Sequence, residues 1–155
     1  MMLTELSRID RAIEIDAPPD RVWRALTDPA EIARWFEVAI EGPFGVGREV
    51  WMTSKHPDYA GMRFRVRVTE ITPPTRLVWQ WQPGAVDPNV DYSCEPETTV
   101  TFTVEAAPGG RTRLTVAETG FDEIALERRA KAYADNNQGW IDVLAAFQKY
   151  VEAAR

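Results

Sequence analysis

The sequence predicts an α+β domain: an antiparallel sheet of about seven strands, two short helices inserted after the first strand, and a long C-terminal helix packed across the sheet. Three observations carry this. Segment after segment alternates apolar and polar residues with the period of two that marks a strand with one buried face. Short turns join the segments with no crossover helix between them, which makes the sheet antiparallel. Residues 133–154, set on a helix at about 100° per residue, gather Tyr133, Trp140, Leu144, Phe147 and Val151 into one stripe flanked by Val143 and Tyr150, with Asp142, Lys149 and Glu152 opposite. A helix so two-sided needs an apolar surface, and the strands supply it.

In chain order, Ile9, Ile13 and Ile15 alternate with Asp10, Glu14 and Asp16 in the first strand, which Ala17-Pro18-Pro19 stops. Pro19 suits a first helical turn, where its missing N–H would be unpaired anyway, and Val22, Trp23 and Leu26 give that helix an apolar side. Asp28-Pro29-Ala30-Glu31 restarts the chain as a capping box, with Asp28 accepting from backbone N–H groups and Glu31 reaching back. Phe36, Val38 and Ile40 alternate with Glu37 and Glu41, and a glycine-rich turn over residues 42–47 leads to Val50, Trp51 and Met52, which predicts a hairpin. No helix pattern or Lys-Ser/Thr ending follows those glycines, so turn chemistry rather than phosphate binding accounts for them.

Met62, Phe64, Val66 and Val68 alternate with Arg63, Arg65, Arg67 and Thr69 in the least ambiguous strand, and Ile71-Thr72-Pro73-Pro74 ends it. Leu77, Trp79 and Trp81 share one face of the next, and Val100, Phe102 and Val104 lie opposite Thr99, Thr101 and Thr103 in another. A turn at residues 107–110 then leads to Leu114 and Val116. Residues 83–96 carry three prolines and no periodicity, which fits either a gate over a cavity mouth or a mobile surface loop.

A chain of 155 residues is expected to form one domain, residues 1–155, around one core. A net charge of -6 opposes nucleic-acid binding. The single cysteine, Cys94, allows no intramolecular disulfide and fits a reducing compartment. Charge interrupts the first residues too early for a signal peptide or a membrane span, so a cytoplasmic protein is expected.

The stretches IEIDAPPDRVWRALTDPAEIARWF, ITPPTRLVWQW, TTVTFTVE, AETGF and NNQGWIDVLAAFQKYVEA together resemble the family named for the activator of the heat-shock protein 90 ATPase. That family belongs to the START and birch-pollen-allergen-like (SRPBCC) superfamily. The most specific pieces are Ala17-Pro18 ahead of Val22-Trp23, Thr27-Asp28-Pro29, Gly120-Phe121 and Gly139-Trp140. The resemblance implies the helix-grip fold, a curved sheet gripping the C-terminal helix, with a cavity between them in which related domains hold lipids, hormones or polyketides. It implies no shared catalytic set.

The expected partner is accordingly a small hydrophobic molecule held between sheet and C-terminal helix by Trp35, Trp51, Phe64, Trp79, Trp81, Phe102, Tyr133, Asn136, Trp140 and Leu144, with no metal and no cofactor. Packing alone could place the six tryptophans, and a lined pocket is the alternative. The helical stripe is polar before Trp140 and apolar after it, which puts the cavity at the Tyr133 end and solid core at the Phe147 end. Gly139 would let the helix approach the sheet closely. His56, the only histidine, sits in a turn-rich loop and excludes most metal sites; a Ser54 or Cys94 nucleophile beside it would need triad geometry. Arg63, Arg65 and Arg67, with Arg113 of another strand as a candidate fourth member, read as a solvated row paired with acidic neighbours such as Glu105, or as a docking stripe for an acidic partner. Two further functions stay open. A polyketide cyclase or hydrolase would need an ionisable cavity residue, for which Glu49, Glu118 and Tyr133 qualify by position. A protein-interaction module, chaperone-stimulating or homodimeric, would show a filled cavity and an exposed apolar patch.

Overall fold

A computed structural model describes residues 7–85, 87 and 89–153. Seven strands, β1 (Arg8–Ile15), β2 (Val38–Glu41), β3 (Glu49–Ser54), β4 (Arg63–Thr72), β5 (Arg76–Trp81), β6 (Thr98–Ala107) and β7 (Arg111–Thr119), form one sheet in the order β1-β7-β6-β5-β4-β3-β2. Every neighbouring pair is antiparallel. Helices α1 (Pro19–Thr27) and α2 (Pro29–Trp35) follow β1, and α3 (Leu126–Ala153) closes the chain. This is the α+β helix-grip arrangement expected from the sequence.

Strand alternation decides which face is buried. Val50 and Met52 of β3, Val66 and Val68 of β4, Leu77 and Trp79 of β5, Val100 and Phe102 of β6, and Leu114 and Val116 of β7 all point to the side covered by the helices. On α3, Trp140, Leu144, Phe147 and Val151 are buried, as the stripe predicts, and Trp35 of α2 meets Phe147 edge-on at 4.9 Å. The Trp35 indole N–H donates to the Ala25 carbonyl at 2.8 Å, which ties α2 to α1.

Three local features differ from expectation. Asp28 caps α2 through Ala30 N at 2.9 Å, but Glu31 does not reach back. Its carboxylate binds Arg21 of α1 at 2.7 Å and Arg24 at 3.3 Å, and accepts from Tyr150 of α3 at 2.9 Å, because guanidinium partners outcompete a backbone N–H. Phe36 caps the C-terminus of α2 instead of opening a strand; Glu37, at φ +55°, turns the chain so that pairing begins at Val38. Finally, α3 starts at Leu126, well before residue 133, because Leu126-Glu127-Arg128-Arg129-Ala130-Lys131-Ala132 are good helix formers. Ala154, the last residue of the expected helix, and the N-terminal segment 1–6 lie outside the described residues.

Candidate functional site

Between α3 and the β2–β5 part of the sheet lies a cleft of about 810 Å³, within the size class of roughly 300–1,000 Å³ usual for small-molecule sites. Its aromatic lining includes Trp35, Phe36, Phe64 and Trp81. Phe36 stacks on Trp81 at 6.2 Å and meets Phe64 edge-on at 6.1 Å, so these rings form one continuous wall. Helix α3 contributes Asn136, Gly139, Val143 and Ala146, residues about a turn apart on one side of the helix. This second stripe lies beside the core stripe of Trp140, Leu144, Phe147 and Val151.

The ten residues expected in the site divide. Trp35, Trp51, Phe64, Trp81 and Asn136 border the cleft. Trp51 does so from the rim: it alternates with the buried Val50 and Met52, and the Arg63 guanidinium lies 4.0 Å from its ring centroid. Trp79, Phe102, Trp140 and Leu144 are no more than 3% exposed and belong to the core behind the wall. Tyr133 packs edge-on against Phe121 at 5.3 Å and does not reach the lining. Sequence reasoning left out Phe36, Gly139, Val143 and Ala146. A Cβ placed on Gly139 meets nothing within 4 Å, so this glycine does not bring helix and sheet together as expected; it leaves room in the cleft.

Glu118 lies beneath the wall formed by Trp81 and Asn136. Strand alternation in β7 puts it on the inner face with Leu114 and Val116, and it is fully buried. Its Oε2 accepts from Trp81 Nε1 at 2.8 Å and from Thr98 Oγ1 at 2.5 Å, and its Oε1 from Trp140 Nε1 at 2.8 Å. Asn136 Nδ2 donates to Oε1 at 2.9 Å and to Oε2 at 3.0 Å. Indole and amide N–H groups can only donate, so this shell is complementary to a carboxylate. One side chain thereby fastens β5, β6 and β7 to α3.

Residues 82–85 and 91–93 form another wall. Arg128 of α3 holds this segment. Its Nε donates to Glu95 Oε2 at 2.6 Å and its Nη2 also contacts Glu95; the guanidinium further donates to the carbonyls of Gly84 at 3.1 Å and Pro83 at 2.5 Å. The Tyr92 ring lies 4.9 Å from the same group. Hydrogen bonding to Glu95 raises the Arg128 pKa further, against burial. Gly84, at φ +61°, is needed twice over, because a Cβ there would also come within 3.2 Å of the Ala132 backbone. Asp91 accepts from the Ser93 backbone N–H at 2.9 Å, which holds its carboxyl below the ordinary range.

The nucleophile reading finds no support in the contacts. Ser54 Oγ accepts from the His56 backbone N–H at 3.2 Å, and His56 Nδ1 accepts from Asp58 N at 3.1 Å, while Cys94 is exposed. Arg63 pairs with Glu41 at 3.0 Å, Arg65 reaches Glu49 at 3.6 Å and Glu97 at 3.7 Å, and Arg67 binds Glu97 at 2.6 Å. The arginine row is a paired sheet face, with those glutamates as partners rather than Glu105. No group of metal-ligating side chains and no helix long and apolar enough to cross a membrane occurs among the described residues.

Residues 16–152 match the family model described as Activator of Hsp90 ATPase homolog 1-like protein. No curated protein matches the chain. Among solved structures, protein MLL2253 from Mesorhizobium loti is similar at 24% identity and a TM-score of 0.75, over 96% of this chain and 98% of that one. DynU16, a protein of the dynemicin biosynthetic locus, gives 24% identity and a TM-score of 0.72 over 96% of this chain and 48% of its own. The Aha1 dimer from Colwellia psychrerythraea gives 21% identity and a TM-score of 0.68 over 94% and 96%.

Proposed function

The chain belongs to the family of Activator of Hsp90 ATPase homolog 1-like proteins, and on that premise we propose that it binds one small, largely apolar molecule in the cleft between α3 and the β2–β5 part of the sheet. The observation that carries this reading is a cleft of about 810 Å³ walled by Trp35, Phe36, Phe64 and Trp81 and left open at Gly139. An interaction module built like a filled core would have no such space. Of the exposed large apolar residues, Leu126 and Ile141 lie far apart along α3, and Val46, Tyr59 and Val90 lie in three different connections between strands.

A second reading, a polyketide cyclase or hydrolase, draws support from DynU16 and its biosynthetic locus. It needs an ionisable group against the substrate. Of the three candidates, Glu49 pairs with Arg65 on the sheet face, Tyr133 packs on Phe121, and Glu118 is enclosed by its donors. Their placement argues against turnover through any of these three.

The test is a thermal-shift screen of the purified protein against fatty acids, sterols, flavonoids and aromatic polyketides, run beside Gly139→Leu. A ligand at a hundred times its dissociation constant adds about 2.7 kcal/mol, a shift of several degrees. Binding in the cleft predicts that one chemical class raises the melting temperature and that Gly139→Leu, which pushes a side chain into the cleft, reduces or removes the shift. A screen with no shift in any class would refute the reading, as would a shift untouched by the variant.

A further inference from the structure

Glu118 takes up hydrogen-bond donors that would otherwise face the cleft. Trp81 and Asn136 both border the cleft, yet the indole N–H of Trp81 and the amide N–H₂ of Asn136 are spent on the carboxylate beneath them, as is the indole N–H of Trp140. A carboxylate cannot donate, so it also fixes which way the Asn136 amide points: Nδ2 inward, Oδ1 away. That Oδ1 accepts from no group among the described residues, and it is not one of the buried side-chain atoms left without a partner. This part of the wall therefore shows a ligand the carbon surface of Trp81 and a single acceptor, with no free donor from either residue.

Resting on the reading of the cleft as a binding site, we propose that Asn136 Oδ1, oriented by Glu118, is a specificity-determining acceptor that selects aromatic or alicyclic ligands carrying a hydroxyl donor over the same skeleton without one. Asn136 touches the ligand; Glu118 is a positioning residue that acts through it. The energetic logic is asymmetric. A ligand hydroxyl gains a bond to an acceptor with no competing protein partner, whereas an ether or ketone placed there meets lone pairs with lone pairs.

The experiment measures equilibrium binding of 2-naphthol, 2-methoxynaphthalene and 2-acetylnaphthalene to the full chain at neutral pH, with Gly139→Leu as the occluded control. In the wild type, 2-naphthol is expected to bind roughly fivefold to tenfold tighter than either acceptor-only probe, the value of one neutral hydrogen bond. Asn136→Leu is expected to bind the ether as the wild type does and to lose the preference for naphthol. Glu118→Gln frees the Asn136 amide to turn over, and the preference is expected to fall there too, although neither residue's ring wall has changed. Equal binding of all three probes by the wild type, or an undiminished preference in Asn136→Leu, would overturn the assignment and leave the cleft reading standing. Absence of binding by every probe would overturn the assignment as well, while the cleft reading is decided separately by the thermal-shift screen. Should Asn136→Leu fail to fold, Asn136→Ala makes the same comparison, with loss of the naphthol preference expected and an undiminished preference overturning the assignment.

Discussion

At the scale of single residues, the position that separates the packed core from the cleft is Gly139. It lies in the interior of α3, where glycine is worth roughly 0.5–1 kcal/mol less than alanine, and a Cβ there meets nothing within 4 Å. Gly139→Ala is therefore expected to stabilise the protein by about that amount, raising the melting temperature by a few degrees in calorimetry. A loss of stability would mean that the space beside Gly139 is not open. Of its stripe, Asn136 was legible as a cavity residue, while Gly139 was read as a close-packing glycine and Val143 and Ala146 were not placed in the site. Trp140, Leu144, Phe147 and Val151 announce themselves because large apolar side chains recur with the helical period, whereas Asn136, Gly139, Val143 and Ala146 carry only one strongly apolar member. Glu118 was half legible: alternation with Leu114 and Val116 put it on the inner face, but nothing in the sequence showed that donors from three other elements converge on it.

At the scale of elements, two ionic joints hold helices and loop in place. The loop wall hangs on α3 through Arg128, which holds Glu95 and two loop carbonyls. Arg128→Ala is expected to leave the global melting temperature within a few degrees while raising protease cleavage within residues 82–97 severalfold, because local opening no longer has to break that cluster. Unchanged cleavage would mean that the loop is held by other contacts. The second joint is Glu31 on α2, between Arg21 of α1 and Tyr150 of α3. Burial pushes its carboxyl up, but the Arg21 guanidinium and the Tyr150 hydroxyl more than offset this and hold it below its ordinary value of 4.5. A carboxyl depressed in the folded state stabilises above its unfolded pKa and loses that contribution as pH falls through the folded value. The stability gap between wild type and Glu31→Gln is thus expected to be full near neutrality and to close progressively below about pH 4.5, read from chemical denaturation at each pH. A gap independent of pH would rule out the charge as its source. Element types were the most legible part of the sequence, since all seven strands and three helices follow from periodicity and proline placement. The joints were not legible, because Arg21, Glu31 and Tyr150 are brought together only by the tertiary fold.

For the molecule as a whole, charge becomes a property of the cleft. The chain carries a net charge of -6, and Glu37, Asp58, Asp91, Asp135 and Asp142 border the cleft. The arginines that reach it, Arg63 and Arg65, are already paired with glutamates. Anionic ligands such as 2-naphthoate are expected to bind more weakly than neutral ones, with an affinity that rises as salt screens the rim, while neutral ligands show little salt dependence. Titrations at low and high ionic strength check this, and tighter binding of the anion at low salt would reverse the sign of the field at the cleft. The two stripes of α3 have a further consequence, one for descent. Trp140 anchors the helix to the sheet and its neighbour Gly139 faces the cleft, so one helix carries the residues that keep the fold and the residues that line the cleft. Replacements at Gly139, Val143 and Ala146 reshape the cleft while leaving the core stripe of Trp140, Leu144, Phe147 and Val151 in place, whereas Asn136 is tied to Trp140 through Glu118. Lineages sharing this architecture could then reshape the cleft through viable intermediates, each still folded.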